Sequence, residues 1–220
     1  MNLILKCPLA KGLALLVALS VQTLHAQTVW NPTTDFSIVA GNPNGVWTYG
    51  GMDVGFVTFT PFVSISSGGG FNHWYTNPQP AVGFNGGAST SFGVPPGYLT
   101  LHPGPGTEPA VLRWTTPNNF TGTIDVDGQF LAGDGGSMLL AIRRGVAVLW
   151  SGTDSGVFDL SSLAVVPGDT LDFAVYGGYA FGNTPLELTI TGIPEPATHA
   201  AVAGMVALGL AMYRRRAASL

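Results

Sequence analysis

PGDTLDFAVY, residues Pro167–Tyr176, decides the fold of the central part of this 220-residue chain. Pro167-Gly168-Asp169 signals a turn. TLDFAVY then alternates polar and apolar side chains, the period-two pattern of a strand with one face in a core. The same grammar recurs on both sides. Leu186–Thr191 reads as a final strand. Upstream, Ser137–Ile142 and Val146–Trp150 read as a hairpin across Arg143-Arg144-Gly145, and Gly133–Gly136, GDGG, as a tight turn. Phe120–Leu131 contains the alternating TIDVDGQF, and Ala110–Trp114 is a compact apolar strand. Val54–Ile65, VGFVTFTPFVSI, is β-branched and aromatic, and its Pro61 predicts an edge or a bulge. Short strands at this spacing, without helical periods between them, predict an all-β fold: an antiparallel β-sandwich, jelly-roll-like.

Composition agrees. The chain has 31 Gly, 16 Pro, 10% aromatic and only 9% charged residues. Few charges, many turn-formers and many aromatics fit an exported all-β domain better than a cytosolic helical enzyme. The span 27–193 carries three arginines, no lysine and eleven acidic residues, a net charge of −8. Such a surface repels nucleic acid and anionic lipid but not neutral polysaccharide. Its 167 residues suffice for one good core and not for two.

The two ends are of another kind. Met1–Ala26 has Lys6 and Lys11 ahead of an apolar Gly12–Val21 run and ends on Leu24-His25-Ala26. This is the layout of a secretory signal peptide cut between Ala26 and Gln27, which makes the Sec machinery and a signal peptidase its partners. Cys7 is the only cysteine, so the mature chain is expected to hold neither disulfide nor thiol chemistry. At the other end stand Pro194-Glu195-Pro196, an uncharged stretch from Ala197 to Tyr213, and Arg214-Arg215-Arg216, followed by the tail 217–220. Seventeen residues at ~1.5 Å rise make a helix of roughly 26 Å, at the short limit of a bilayer span. Arginines behind it hold that end in the cytoplasm. The expectation is an exported domain followed by a transmembrane helix and a basic tail.

Those residues, in that order, resemble the PEP-CTERM sorting signal of Gram-negative bacteria, over 194–216. The resemblance implies recognition and cutting by an exosortase. It also implies export across the inner membrane, transient membrane anchoring, and release to a cell surface or exopolysaccharide-rich biofilm matrix. The stretches Asn42–Gly50 (NPNGVWTYG), Leu101–Gly106 (LHPGPG), Val111–Pro117 (VLRWTTP) and Pro167–Val175 (PGDTLDFAV) are similar to a group of bacterial exported β-sandwich domains. That likeness implies a non-catalytic sandwich with a capacity for sugar binding.

The aromatics supply the candidate binding residues. Sugar rings present apolar C–H faces that stack on flat side chains, while a few polar groups fix orientation. Trp47 and Tyr49 fall on one strand face, and Trp74 and Tyr75 sit in the polar, loop-like FNHWYTNPQP. All four are carbohydrate-binding candidates, against the alternative that large aromatics fill the core. Trp114 and Trp150, inside apolar strands, are expected in the core. Asp125 and Asp127 share a strand face; they are read as a solvated face or, with Asp134 or Asp154, as weak calcium ligands. No other cofactor is expected. Arg113 faces away from Trp114 and is expected to pair with a carboxylate. His73 and His102 form no metal-spaced pair, and Ser66-Ser67-Gly68 lacks the G-x-S-x-G setting of a hydrolase. Three functions stay open: a matrix protein that associates with exopolysaccharide, a purely structural surface protein, and a glycan-active enzyme. Ice binding wants a regular threonine array, which this chain lacks.

Overall fold

The computed structural model describes residues 27–76 and 79–194, together with Ala211 and Arg214. Gln27–Ile193 form one compact unit. The predicted signal peptide, Glu195, Pro196, Arg215, Arg216 and nearly all of the apolar stretch lie outside the described residues. Among the described residues no helix is long and apolar enough to cross a membrane.

The unit is a two-sheet antiparallel β-sandwich. Its strands are β1 (Thr28–Trp30), β2 (Trp47–Met52), β3 (Phe59–Pro61), β4 (Ser64–Gly68), β5 (Phe71–Tyr75), β6 (Ala81–Asn85) and β7 (Leu99–His102). They continue with β8 (Ala110–Thr115), β9 (Gly122–Phe130), β10 (Leu139–Arg144), β11 (Ala147–Thr153), β12 (Gly156–Val165), β13 (Thr170–Tyr176) and β14 (Thr184–Pro194). One sheet has eight strands in the order β12-β9-β14-β7-β6-β5-β4, with β1 added beside β14; the other runs β11-β10-β13-β8-β2-β3. A single helical turn, α1 (Pro32–Asp35), is capped by Asn31, whose Oδ1 accepts from the Thr33 amide at 2.9 Å.

The core lies between the sheets and is unusually aromatic. Trp47 and Tyr49 enter from β2, Trp114 from β8, Trp74 from β5 and Trp30 from β1, each fully or nearly fully buried. Trp30 meets Trp114 edge-on at 5.3 Å, and Tyr49 stacks on Trp74 at 6.4 Å. The indole N–H groups of two of them find acceptors in the segment after β1: Trp47 Nε1 donates to Asp35 Oδ2 at 3.0 Å, and Trp74 Nε1 to the Ser37 carbonyl at 2.9 Å. That segment thereby closes one end of the sandwich. Trp150 is partly buried and stacks on Phe130 at 5.8 Å, closing a side.

TLDFAVY is more deeply placed than a half-buried strand. Leu171, Phe173 and Val175 face the main core, but Asp172 and Ala174 on the opposite face are buried too. The β2–β3 connection and the start of β3 explain this. Phe56 and Phe59 fold back with Tyr176 over Met52, Val111 and Ala174 to make a second, smaller apolar cluster. Asp172 is tolerated there because Arg113 lies opposite it in register and grips it with both arms, Nε–Oδ1 at 2.6 Å and Nη2–Oδ2 at 2.8 Å. The Phe59 ring caps this pair, 3.9 Å from the guanidinium carbon. The predicted strand Val54–Ile65 instead divides into a loop, the short edge strand β3 ending at Pro61, and β4 in the other sheet.

Trp74→Ala is expected to destabilise the protein by about 3–5 kcal/mol, the cost of emptying a large core site. Asp172→Ala should cost about 3 kcal/mol, because the Arg113 charge loses its partner in a covered setting. Denaturant unfolding of the variants measures both; a change under 1 kcal/mol in either would contradict the packing described.

Candidate functional site

Two of the expected binding surfaces do not exist as surfaces. Trp47 and Tyr49 have no exposed area and Trp74 retains 6%. A ring packed on all sides offers no face to a sugar, so these three are core residues, not binding candidates. The reason is local. FNHWYTNPQP begins with a strand, β5, and not a loop, so alternation turns Trp74 inward and sends Phe71, His73 and Tyr75 outward. Burial also pushes the Tyr49 phenol well above its ordinary pKa.

The outward set leads to a cleft. β5, β6 and β7 are adjacent, and their register places His73, Gly83 and Thr100 in one row and Tyr75, Ala81 and His102 in the next. The middle strand contributes only a methyl group and a hydrogen. A trough therefore runs between the rings of β5 and the polar side chains of β7. Gly83 is required there: a Cβ would lie 2.8 Å from the Phe71 ring. The trough has a volume of about 280 Å³, and Phe92, Gln79, Asp134 and Asn183 complete its walls.

Loops hold those walls. Phe92 sits on the turn Ser91–Val94 with a left-handed φ of 48°, and its exposed ring meets Phe71 edge-on at 6.4 Å. Gly93 behind it packs flat on the Gly133–Asp134 backbone, where a Cβ would come within 2.3 Å of the Asp134 nitrogen. Asn183 Nδ2 donates to Asp134 Oδ2 at 3.2 Å, fixing that carboxylate. Tyr179 packs edge-on against His102 at 5.4 Å and donates its hydroxyl to Gln79 Oε1 at 3.2 Å. His102 Nδ1 donates to the Pro103 carbonyl at 2.8 Å, which leaves Nε2 as the free ring nitrogen.

The floor has polar atoms with nothing to bond. Thr100 Oγ1, His73 Nδ1 and Asp134 Oδ1 are each buried and without a hydrogen-bond partner. Thr100 is only 2% exposed. Leaving such groups unpaired costs stability, and proteins retain few of them. All three belong to residues that line the trough, although the atoms themselves are covered. Burial also lowers the pKa of His73, which keeps the ring neutral, with one nitrogen able to accept and one to donate.

The other candidates are placed as follows. Tyr75 is half-buried beside the trough, its ring 5.2 Å from His73. Asp125 and Asp127 do share the outer face of β9. Asp125 Oδ1 is occupied, accepting from the Ser162 amide at 2.7 Å where β12 bulges. Asp127 lies opposite Asp159, and Asp134 belongs to the trough. Among the described residues no three His, Cys, Asp or Glu side chains form a group that could hold a metal ion. Phe71, His73, Phe92, Thr100 and His102 were not singled out as binding residues by the sequence reading. The alternation in FNHWY and LTLH was the available signal.

No protein-family model matches this chain, and no curated protein sequence matches it. Among solved structures, a cyclase from Fischerella sp. TAU is similar at 11% identity and a TM-score of 0.38, over 77% of this chain and 100% of that one. TmCBM61 in complex with β-1,4-galactotriose is similar at 13% identity and a TM-score of 0.30, over 60% of this chain and 88% of that one. An arabinose-bound α-L-arabinofuranosidase, MgGH51, is similar at 11% identity and a TM-score of 0.28, over 69% of this chain and 27% of that one.

Thr100→Val keeps the shape and removes the unpaired hydroxyl. It should raise stability by about 1 kcal/mol, the lower end of the cost of an unsatisfied buried group; a loss of that size in thermal or denaturant unfolding would mean that Oγ1 is paired. The lowered pKa of His73 also predicts a pH effect. Near its ordinary value of 6.5 the unfolded chain takes up a proton before the folded one does. This contribution to stability is complete above pH 6.5 and is lost as the pH falls through the folded value. His73→Gln should therefore flatten the decline in melting temperature between pH 7 and 5, and an unchanged slope would contradict the assignment.

Proposed function

We propose that the chain is an exported cell-surface or matrix protein that associates with exopolysaccharide through the trough on β5, β6 and β7, without cleaving it. The observation that carries this reading is the trough itself: exposed or half-exposed rings at Phe71 and Phe92 beside the polar side chains of Gln79, His102, Asp134 and Asn183. Stacking surface plus a few orienting polar groups is what a sugar ring requires. A non-catalytic role is supported by the lining, in which Asp134 is the one carboxylate among the described residues; glycoside hydrolysis ordinarily needs two, about 5–9.5 Å apart. Repeated crossing of consecutive strands between the sheets supports a jelly-roll-like description.

The sorting part of the proposal rests on the ends of the sequence. A signal peptide delivers the chain to the Sec machinery and signal peptidase. Pro194-Glu195-Pro196, a transmembrane segment and Arg214–Arg216 then present it to an exosortase in the inner membrane of a Gram-negative bacterium. Transient anchoring there precedes transfer to the surface or matrix. The purely structural alternative keeps this route and dispenses with the trough.

Pull-down on the host's exopolysaccharide tests the reading. Retention should correspond to a dissociation constant in the high micromolar to millimolar range, roughly −4 to −6 kcal/mol. Phe92→Ala, at an exposed ring, should weaken it by about 1 kcal/mol, roughly fivefold, with no loss of fold. Mass spectrometry of the same surface material should show an N-terminus near Gln27 and no Arg214–Arg216. No retention by the wild type would leave the structural alternative.

A further inference from the structure

We propose that the free edge of β4 is the surface by which this protein pairs with a second copy of itself, strand to strand and antiparallel about a two-fold axis. The pairing is independent of glycan binding.

A sheet edge presents a row of backbone N–H and C=O groups that can template another strand, and proteins ordinarily guard it with brevity, proline, charge or a bulge. Here β1 and β3 are three residues long, and β3 ends in Pro61. β12 carries Asp159 and is bulged between Leu160 and Leu163. β11 slips in register against β10 beside Ile142 and Arg143, which leaves Leu149 without a partner. β4 has none of these guards. It is Ser64-Ile65-Ser66-Ser67-Gly68, paired without a shift to β5 and, among the described residues, to no other strand. Ile65 is 49% exposed, and Val63 just before the strand is 89% exposed.

Charge names the partner. The compact unit carries a net charge of −8, so copies of it repel one another. That charge is unevenly placed. From Val54 to Thr107 the chain has no Asp, Glu, Lys or Arg, a run that contains β3 to β7. Along the eight-stranded sheet Asp159 lies on β12, Asp125 and Asp127 on β9 and Glu187 on β14, whereas β7, β6, β5 and β4 carry no formal charge. With strands about 4.8 Å apart, β14 is roughly 19 Å from β4 and β12 roughly 29 Å. Both distances exceed the Debye length of about 8 Å at physiological salt. Two copies meeting by β12 would set Asp159 near its own twin; meeting by β4 keeps the acidic strands at the two far ends. A basic partner would be drawn to those acidic strands. The uncharged edge is the side on which a molecule of the same sign can approach, and a second copy is such a molecule.

The register follows from Ile65. It stands opposite Trp74 and so shares the inner face of the sheet, where it is half uncovered. Pairing centred on Ile65 lays it against its twin and sets Ser64 opposite Ser66. An apolar cross-strand pair at the axis is stabilising. Residues of the same face then meet, so the two eight-stranded sheets run on as one and both troughs open to the same side. Five residues bury little area, so the dimer is reversible and depends on concentration.

Sedimentation equilibrium of the full chain in a density-matched non-ionic detergent, over a concentration series, tests this. The wild type should exchange between monomer and dimer, and raising sodium chloride from about 50 to 500 mM should tighten the dimer severalfold by screening the repulsion. Ile65→Lys and Ile65→Glu should each weaken it about tenfold or more, because each sets like charges together at the axis. Mixed in equal amounts, the two variants should pair again. Val157→Lys, on the β12 edge, should not weaken the dimer. Ile65→Ser serves if the charged variants do not fold, with a loss of about threefold. A wild type that stays monomeric at every concentration overturns the proposal. So does a dimer that survives both charged variants, which assigns association to another surface or to the terminal segments. Charged variants that fail to pair on mixing, or a dimer that loosens with salt, overturn it as well.

Discussion

The interval between the two sheets is filled by indole and phenol rings, and the remainder of the structure is arranged around that filling. Facing sheets pack about 10 Å apart when ordinary side chains interdigitate. Here Trp47, Tyr49 and Trp114 from one sheet meet Trp30 and Trp74 from the other. Each ring carries a large buried area, so a few of them supply much of a core. The compact unit contains no cysteine and must be held by packing alone. Rings with a polar edge also demand acceptors, and two of the indoles find them in the segment 31–38. That segment, with a helix of one turn, would otherwise have little reason to lie where it does.

The outer faces of the two sheets have opposite treatments. The six-stranded sheet is covered by its own β2–β3 connection and the start of β3. Phe56 and Phe59 make a second apolar cluster, and the Arg113–Asp172 pair neutralises the charges trapped beneath it. Among the described residues, the eight-stranded sheet has no such cover over β5, β6 and β7. Ala81 and Gly83 keep the middle strand low, and Phe71, His73, Thr100 and His102 stand on either side. Chain was available to bury this face: the loops bearing Phe92, Asp134 and Asn183 reach it. They form walls rather than a lid.

Much of this architecture was legible in local windows. Alternation in TLDFAVY and TIDVDGQF identified β13 and β9, the GDGG and Arg-Gly turns bounded the hairpin β10–β11, and Pro61 does fall on an edge strand. Arg113 did pair with a carboxylate, as strand alternation required. The site was not legible, for two physical reasons. FNHWYTNPQP is rich in loop-formers, and polar composition concealed a five-residue strand whose alternation reverses the roles of Trp74 and His73. β12 was not among the predicted strands; two serines, Ser161 and Ser162, occupy its bulge. Beyond that, the row His73–Gly83–Thr100 exists only through pairing of three strands, and no window of sequence contains a register. The sorting signals expected at the two ends are the opposite case: they are linear patterns, and nearly all of their residues lie outside the described ones.

The unpaired atoms beneath the trough bear on its stability. A fold selected only for rigidity would have valine at 100 and would direct the Asp134 carboxylate wholly to Asn183. It would also have no need of an aromatic side chain at φ 48° on an exposed turn. Each departure costs free energy in the empty protein: a hydroxyl and a ring nitrogen removed from water without replacement, and a backbone conformation that side-chain-bearing residues seldom adopt. Such costs persist where the surrounding structure is stable enough to carry them, and the ring-filled core below supplies that margin. The trough is nonetheless preformed: its floor is three hydrogen-bonded strands, and its rim is braced by the Gly93 contact and the Asn183–Asp134 bond.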